Sequence, residues 1–296
     1  MTTYDAGMAV PDWPSTYGYN LFLYPWTTWV FGPWDLFLEH GHRLLGALAG
    51  FLTIAFLLAV VRFDPRPWMR KAAILALVLV ILQGCLGGFR VILDDRQLAM
   101  LHGCAGPAFF AYCVAMAVFT SPVWREAAHA QSHPRAARWQ RIAISATLFA
   151  YAQLVLGALL RHIPVTATPR AFNITLILHL ATAGILSVHM LLIGLTLGRC
   201  RDKRPLQRSA NQLVLLFIVQ LVLGVSNWVV TYGWPNWFVG YRFWAAYTIE
   251  ANSLWQAGIV TAHMATGSLV LASSLHLTLR SLRLLKVGND RGLTDF

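Results

Sequence analysis

Four histidines recur at matched places in long apolar stretches of the chain: His42, His102, His179 and His263. A histidine inside a membrane-spanning helix is costly and therefore suggests a functional site. Four such residues in register favour one shared chemical role over four separately hydrogen-bonded core residues. Two neutral imidazoles on opposite sides of a flat iron macrocycle suit that pattern. The sequence therefore predicts two haem sites, one formed by His42 with His102 and the other by His179 with His263.

A second motif precedes three of these histidines on the previous apolar stretch. It reads Q-x-x-L-G at 83–87, 153–157 and 220–224. A small residue also stands four positions after each histidine, where it lets a neighbouring helix or a flat ring approach the backbone. The repeating unit is thus a helix pair, and the His42 stretch has no partner. This symmetry predicts eight helices in two pseudo-repeated halves, the first helix being lost to a late start codon or a truncated sequence.

Glu39 is an acidic residue three positions before His42, and on a helix the two share a face. No carboxylate occupies the equivalent position before the other three histidines. One interpretation is structural: Glu39 lies at a helix start, where the dipole favours it, and pairs with Arg43. The other is functional: it lies against the first haem and stabilises positive charge or moves protons. The two halves are chemically unequal, as expected if one processes a haem and the other holds one.

Haem propionates need cationic partners, and arginine suits a carboxylate best. The candidates near the histidine ends of the spans are Arg43, Arg90, Arg161 and Arg170. Simple snorkelling of each arginine to the membrane surface remains the alternative.

The composition predicts an all-α integral membrane protein, since 57% of the 296 residues are hydrophobic and only 12% are charged. It excludes a soluble enzyme, a disordered chain and a disulfide scaffold. The four cysteines form no C-x-x-C, which excludes a zinc ribbon and a covalent c-type haem. Seven stretches are long enough to span a bilayer. They are 42–62, 72–90, 98–119, 142–160, 173–197, 210–230 and 253–278.

Basic residues alternate between the connections: 17 of the 23 lie in 62–71, 121–141, 198–209 and 279–296. By the positive-inside rule these segments are cytoplasmic, so the histidines face the outer side. The net charge of +11 is then a topology signal and gives no support to nucleic-acid binding. The predicted divisions are an outer aromatic segment (1–41), an N-terminal half (42–120), a cytoplasmic linker (121–141), a C-terminal half (142–278) and a cytoplasmic tail (279–296). The aromatic segment either covers a site or forms an ordinary interfacial belt.

These motifs resemble the heme A synthase family. The resemblance rests on Glu39–Arg43, Gln83–Val91, Leu101–Gly103, the two later histidines and the stretch Asp5–Pro14. It implies eight helices and oxidation of the C8 methyl of haem O to the formyl of haem A, through two successive hydroxylations. His42 and His102 would flank the substrate haem O, His179 and His263 would ligate a haem b cofactor, and Glu39 would be the catalytic glutamate. The loop cysteine pair of some members is absent.

The resemblance also implies the bacterial plasma membrane as location, with haem O synthase and terminal oxidase assembly factors as partners beside membrane lipid. It leaves the electron acceptor open. One rival function is a di-haem b-type electron carrier, which does no chemistry on its haem. Another is a transporter or structural bundle without haem, which would leave four matched intramembrane histidines unexplained.

Overall fold

The computed structural model describes residues 10–126, 130–164, 166–200, 204–234 and 253–287. Seven long apolar helices dominate these residues, each long enough to cross a membrane, so the protein is an all-α, multi-pass membrane protein. They are α2 (Trp34–Phe63), α3 (Pro67–Ile92), α4 (Arg96–Thr120), α6 (Ala136–Arg161), α7 (Pro169–Thr196), α8 (Arg204–Tyr232) and α9 (Leu254–Leu284). Two short helices are also present: α1 (Trp26–Val30) lies in the segment before α2, and α5 (Pro122–Arg125) follows α4. All seven predicted spans are confirmed.

Local sequence explains where several helices begin. Pro67 and Pro169 occupy the first turns of α3 and α7, where a missing amide hydrogen costs nothing. Thr168 caps α7 by accepting a hydrogen bond from the amide of Ala171. The helices therefore extend several residues beyond the apolar stretches, because polar first turns are stable in helical form outside the lipid.

The largest boundary difference concerns α2, which begins at Trp34 although the apolar stretch begins at His42. Pro33 precedes the first turn and Asp35 lies within it, which is a typical helix start. Glu39 is therefore in the second turn of α2, and the expectation that it lies at a helix start is wrong. Its helical phase relative to His42 and Arg43 is unchanged.

The residues cluster into two compact units. One comprises described residues within 1–109 and 225–261. In it α2 packs along α3, and the segment before α2 packs on both helices. The motif residues of this unit lie on α2, α3 and the first half of α4.

The other unit comprises described residues within 110–224 and 262–296. Its core is built from α6 and α7 together with parts of α8 and α9, where small alanines such as Ala143 and Ala210 allow close helix approach. A short parallel pair of strands, β1 (Gln131–His133) and β2 (Leu285–Val287), joins the connection before α6 to the end of α9. The sequence pattern did not predict this pair. The predicted division into an N-terminal and a C-terminal half remains a prediction.

Candidate functional site

His42 on α2 faces His102 on α4. Their ring centroids are 6.1 Å apart and their planes are nearly perpendicular, at 89°. Metal–imidazole bonds are about 2 Å long, so two imidazoles on one metal place their ring centroids about 6 Å apart. The spacing of this pair therefore fits a single iron between the two rings.

The backbone of α3 holds the ring of His102. Its Nδ1 lies 3.1 Å from the carbonyl oxygen of Gln83, and the Gln83 side chain donates a hydrogen bond of 2.9 Å to the carbonyl of His102. A hydrogen bond from Nδ1 to a carbonyl fixes the tautomer whose Nε2 carries the free lone pair. This is the tautomer that a metal ligand needs.

The second pair uses the same motif glutamines differently. Gln153 on α6 places its side-chain nitrogen 3.0 Å from Nε2 of His179, and Gln220 on α8 places its own 3.4 Å from Nε2 of His263. The two imidazoles are close enough to interact electrostatically. Each also has a buried Nδ1 that makes no hydrogen bond with the described residues. Two neighbouring imidazoles form a donor set that suits haem iron through Nε2, and the glutamine amide would turn away from each Nε2 when the haem binds.

The glycine that closes each Q-x-x-L-G motif lies directly under the histidine of the following helix. A Cβ at Gly87 would stand 2.9 Å from Cε1 of His102. The corresponding distances are 3.4 Å between Gly157 and His179, and 3.2 Å between Gly224 and His263. The imidazole rings therefore pack on bare backbone in all three pairs.

The packing is reciprocal in two of the pairs. A Cβ at Gly106, four residues after His102, would lie 3.2 Å from the side-chain nitrogen of Gln83. At Gly267, four residues after His263, it would lie 3.1 Å from that of Gln220. Gly46 occupies the matching position after His42, and the part of the chain that the structure describes leaves open space there. The small residues singled out in the sequence thus make room for a glutamine.

Both oxygens of the Glu39 carboxylate are bound, and the residue is 1% exposed. Oε1 forms a 2.8 Å salt bridge with Arg43, and Oε2 accepts a 3.0 Å hydrogen bond from the amide of Val10. The predicted i,i+4 pairing with Arg43 is confirmed. This pairing does not exclude the chemical role, because it holds a charged carboxylate at a fixed position in a dry environment.

Arg43 also anchors the segment before α2. Its terminal nitrogens donate to the carbonyl oxygens of Val10, Asp12 and Ser15 as well as to Glu39. These four bonds use every N–H of the two terminal nitrogens, which leaves only Nε–H for a propionate. The geometry therefore favours an anchoring role for Arg43.

Arg90 is the better-placed cation for a propionate. It lies in the last turn of α3, close enough to Glu39 and Arg43 to interact electrostatically. Its Nε is buried and has no hydrogen-bond partner among the described residues. The other two candidates lie at helix ends, Arg161 as the last residue of α6 and Arg170 in the first turn of α7.

The aromatic segment before α2 is tied to the same site. The Trp13 ring occupies the space that a Cβ on Gly88 would need, next to the glycine under His102. Thr16 hydrogen bonds to Nδ1 of the buried His40 at 2.9 Å. Outward-facing rings are also present, since Trp26 is 65% exposed. The segment both covers the first helices and offers aromatic rings to a membrane interface.

Asp12 shapes this segment into a turn. Burial raises the pKa of its carboxyl. Hydrogen bonds from Ser15 and from the amides of Gly18 and Tyr17 lower it by more, so the net pKa is below its ordinary value. A lowered pKa means that Asp12 stabilises the turn at neutral pH and loses that effect only in acid.

Comparison with known protein families finds a similarity over part of the chain. Residues 33–172 match the family model COX15-CtaA, described as cytochrome oxidase assembly protein. This segment, slightly under half of the chain, is similar to that family. The match confirms the resemblance over this segment. No curated protein and no solved structure matches the chain.

The COX15-CtaA match contains Glu39, the pair His42 and His102, and Arg90, but ends before His179 and His263. The later pair is therefore supported by the repeated helix-pair geometry rather than by the match. Sequence reasoning missed the contact of Glu39 with Val10 and of His40 with Thr16. Both join residues far apart in the chain, and no spacing rule reports such contacts.

Proposed function

We propose that the chain is a heme A synthase, which oxidises the C8 methyl of haem O to a formyl group. The observation that carries the proposal is a perpendicular His42–His102 pair 6.1 Å apart, in which His42 lies on the same helix as a buried carboxylate, Glu39. Bundle cores hold cofactors between side chains on facing helices. One iron-binding pair beside a fixed carboxylate suits chemistry on the bound porphyrin.

The histidines would hold two haems with different roles. His42 and His102 would bind the substrate, haem O, and fix its position relative to Glu39. His179 and His263 would ligate haem b, which supplies one-electron transfer when bound. Arg90, with its unsatisfied Nε, would pair with a propionate and set the orientation of the porphyrin. Orientation decides which methyl group faces the carboxylate.

Glu39 would act through its charge. Arg43 and the Val10 amide hold the carboxylate in place, so no reorganisation is needed when positive charge develops nearby. A preorganised charge in a water-excluded site stabilises such a transition state far more than it would in water. Oxidation of a methyl group next to a porphyrin ring develops positive charge at that carbon, and Glu39 is the acidic group built into this site.

The proposal includes the setting of the enzyme. The family resemblance supports the bacterial plasma membrane, and the charge pattern supports a cytoplasmic C-terminus with the histidines toward the outer face. Haem O synthase would supply the substrate, and terminal oxidase assembly factors would receive the product. Conversion of the methyl to a formyl group takes one oxygen atom from water and releases four protons and four electrons, and an external acceptor would take up the electrons.

Haem analysis of cells tests the activity. The chain is expressed in bacteria that make haem O but have no heme A synthase of their own, and extracted haems are separated by liquid chromatography. We expect haem A to appear and haem O to fall, with neither change in cells carrying the empty vector. A preparation that retains haem b but never yields haem A would favour the electron-carrier function instead.

A further inference from the structure

The three Q-x-x-L-G helices each present a glycine to a histidine ring, and the three contacts differ in tightness. The distance from a Cβ to the nearest ring atom would be 2.9 Å at Gly87, 3.2 Å at Gly224 and 3.4 Å at Gly157. The first is closer than van der Waals contact allows, the second needs a small shift, and the third is ordinary contact. The sequence motif is identical in all three, so only the structure distinguishes them.

The His102 ring has little freedom to move away from Gly87. Its Nδ1 is bonded to the carbonyl of Gln83, which lies one turn earlier on the same helix as the glycine. A methyl group at residue 87 would therefore push the ring against its own hydrogen bond. The ring of His263 is held instead through Nε2 by the Gln220 side chain, in a longer contact of 3.4 Å, so it can yield more easily.

We propose that the closing glycines of the Q-x-x-L-G motifs are positioning residues that set the orientation of the haem-ligating imidazoles, with Gly87 the most stringent and Gly157 the least. This inference rests on the proposed function in so far as the imidazoles are taken to ligate haem. The packing of each ring on its glycine is independent of that function. Outer groups that orient a metal ligand typically change metal affinity by about 10–100-fold when they are altered. The glycines would likewise affect haem affinity indirectly, by setting the orientation of the imidazole rings.

Alanine substitutions test the order directly. Gly87→Ala is expected to lower retention of the haem between His42 and His102 by about 10-fold or more. Gly224→Ala is expected to keep haem b but to change its low-spin electron paramagnetic resonance signal, and Gly157→Ala to match the wild-type protein within about twofold. Gly84→Ala and Gly184→Ala are matched controls, because a Cβ at either position meets nothing within 4 Å. Alanine is also the better helix former, so the controls should not unfold the protein.

A readout without haem separates this inference from the proposed function. Protein from haem-deficient cells is treated with diethyl pyrocarbonate, and the modification rates of His102, His179 and His263 are measured by mass spectrometry. We expect Gly87→Ala to change the His102 rate severalfold and Gly157→Ala to leave the His179 rate unchanged.

Equal rates in all five variants would overturn the positioning role even if the wild-type protein binds haem. The reverse result is also decisive: a wild-type protein that binds no haem, with the graded rates intact, would refute the proposed function and leave the glycine contacts established.

Discussion

Glu39→Gln should abolish haem A formation while both haems remain bound. Glutamine has the same shape and can still accept from Arg43, but it lacks the charge that stabilises the developing cation. Removing one preorganised stabilising group typically lowers turnover by about 100- to 1,000-fold. The measurement is the haem A to haem O ratio in cells, together with the haem content of the purified variant.

A control is necessary because Glu39, through its bonds with Arg43 and the Val10 amide, also anchors the segment before α2. Arg43→Met removes the anchor and leaves the carboxylate in place. Limited proteolysis of the segment around Asp12 reports anchoring in each variant. If Glu39→Gln loses activity while this segment stays protected, the charge itself is required. Normal haem A formation by Glu39→Gln would refute the catalytic assignment.

His263→Ala should remove haem b from the C-terminal pair. The loss of a direct iron ligand should exceed the 10–100-fold change that follows loss of an outer group, so we expect affinity to fall by more than about 100-fold. The absorbance of the purified protein after pyridine treatment gives the haem b content. His276→Ala is the matched control, since it removes a histidine from the same helix, α9, at a position outside the motif. Equal haem b content in the two variants would contradict the ligand assignment.

The membrane architecture could be predicted from the sequence because its physical signals are strong. Long apolar stretches must be helical in lipid, and all seven are helices in the structure. The repeated motifs also brought the right side chains together: Gln83 reaches the backbone of His102, and Gln153 and Gln220 reach the imidazoles of the following helices. Local spacing within a repeat determines these contacts.

Other features depend on contacts that no spacing rule reports. The start of α2 was misplaced because the predicted span began at His42. The helix itself begins at Trp34, where Pro33 and Asp35 determine its start. The segment around Val10 bonds to Glu39 and Arg43, which lie about thirty residues further along the chain. The Trp13 ring packs against Gly88. The tightness of the glycine contacts depends on distances of a few tenths of an ångström. Such distances follow from packing, which a single sequence does not specify.

Electron paramagnetic resonance of the purified, oxidised protein tests the central claim, that paired imidazoles ligate haem iron. We predict low-spin signals typical of bis-histidine haem, of which one set disappears in His102→Ala and another in His263→Ala. A colourless protein, or a high-spin signal indifferent to both substitutions, would contradict the account.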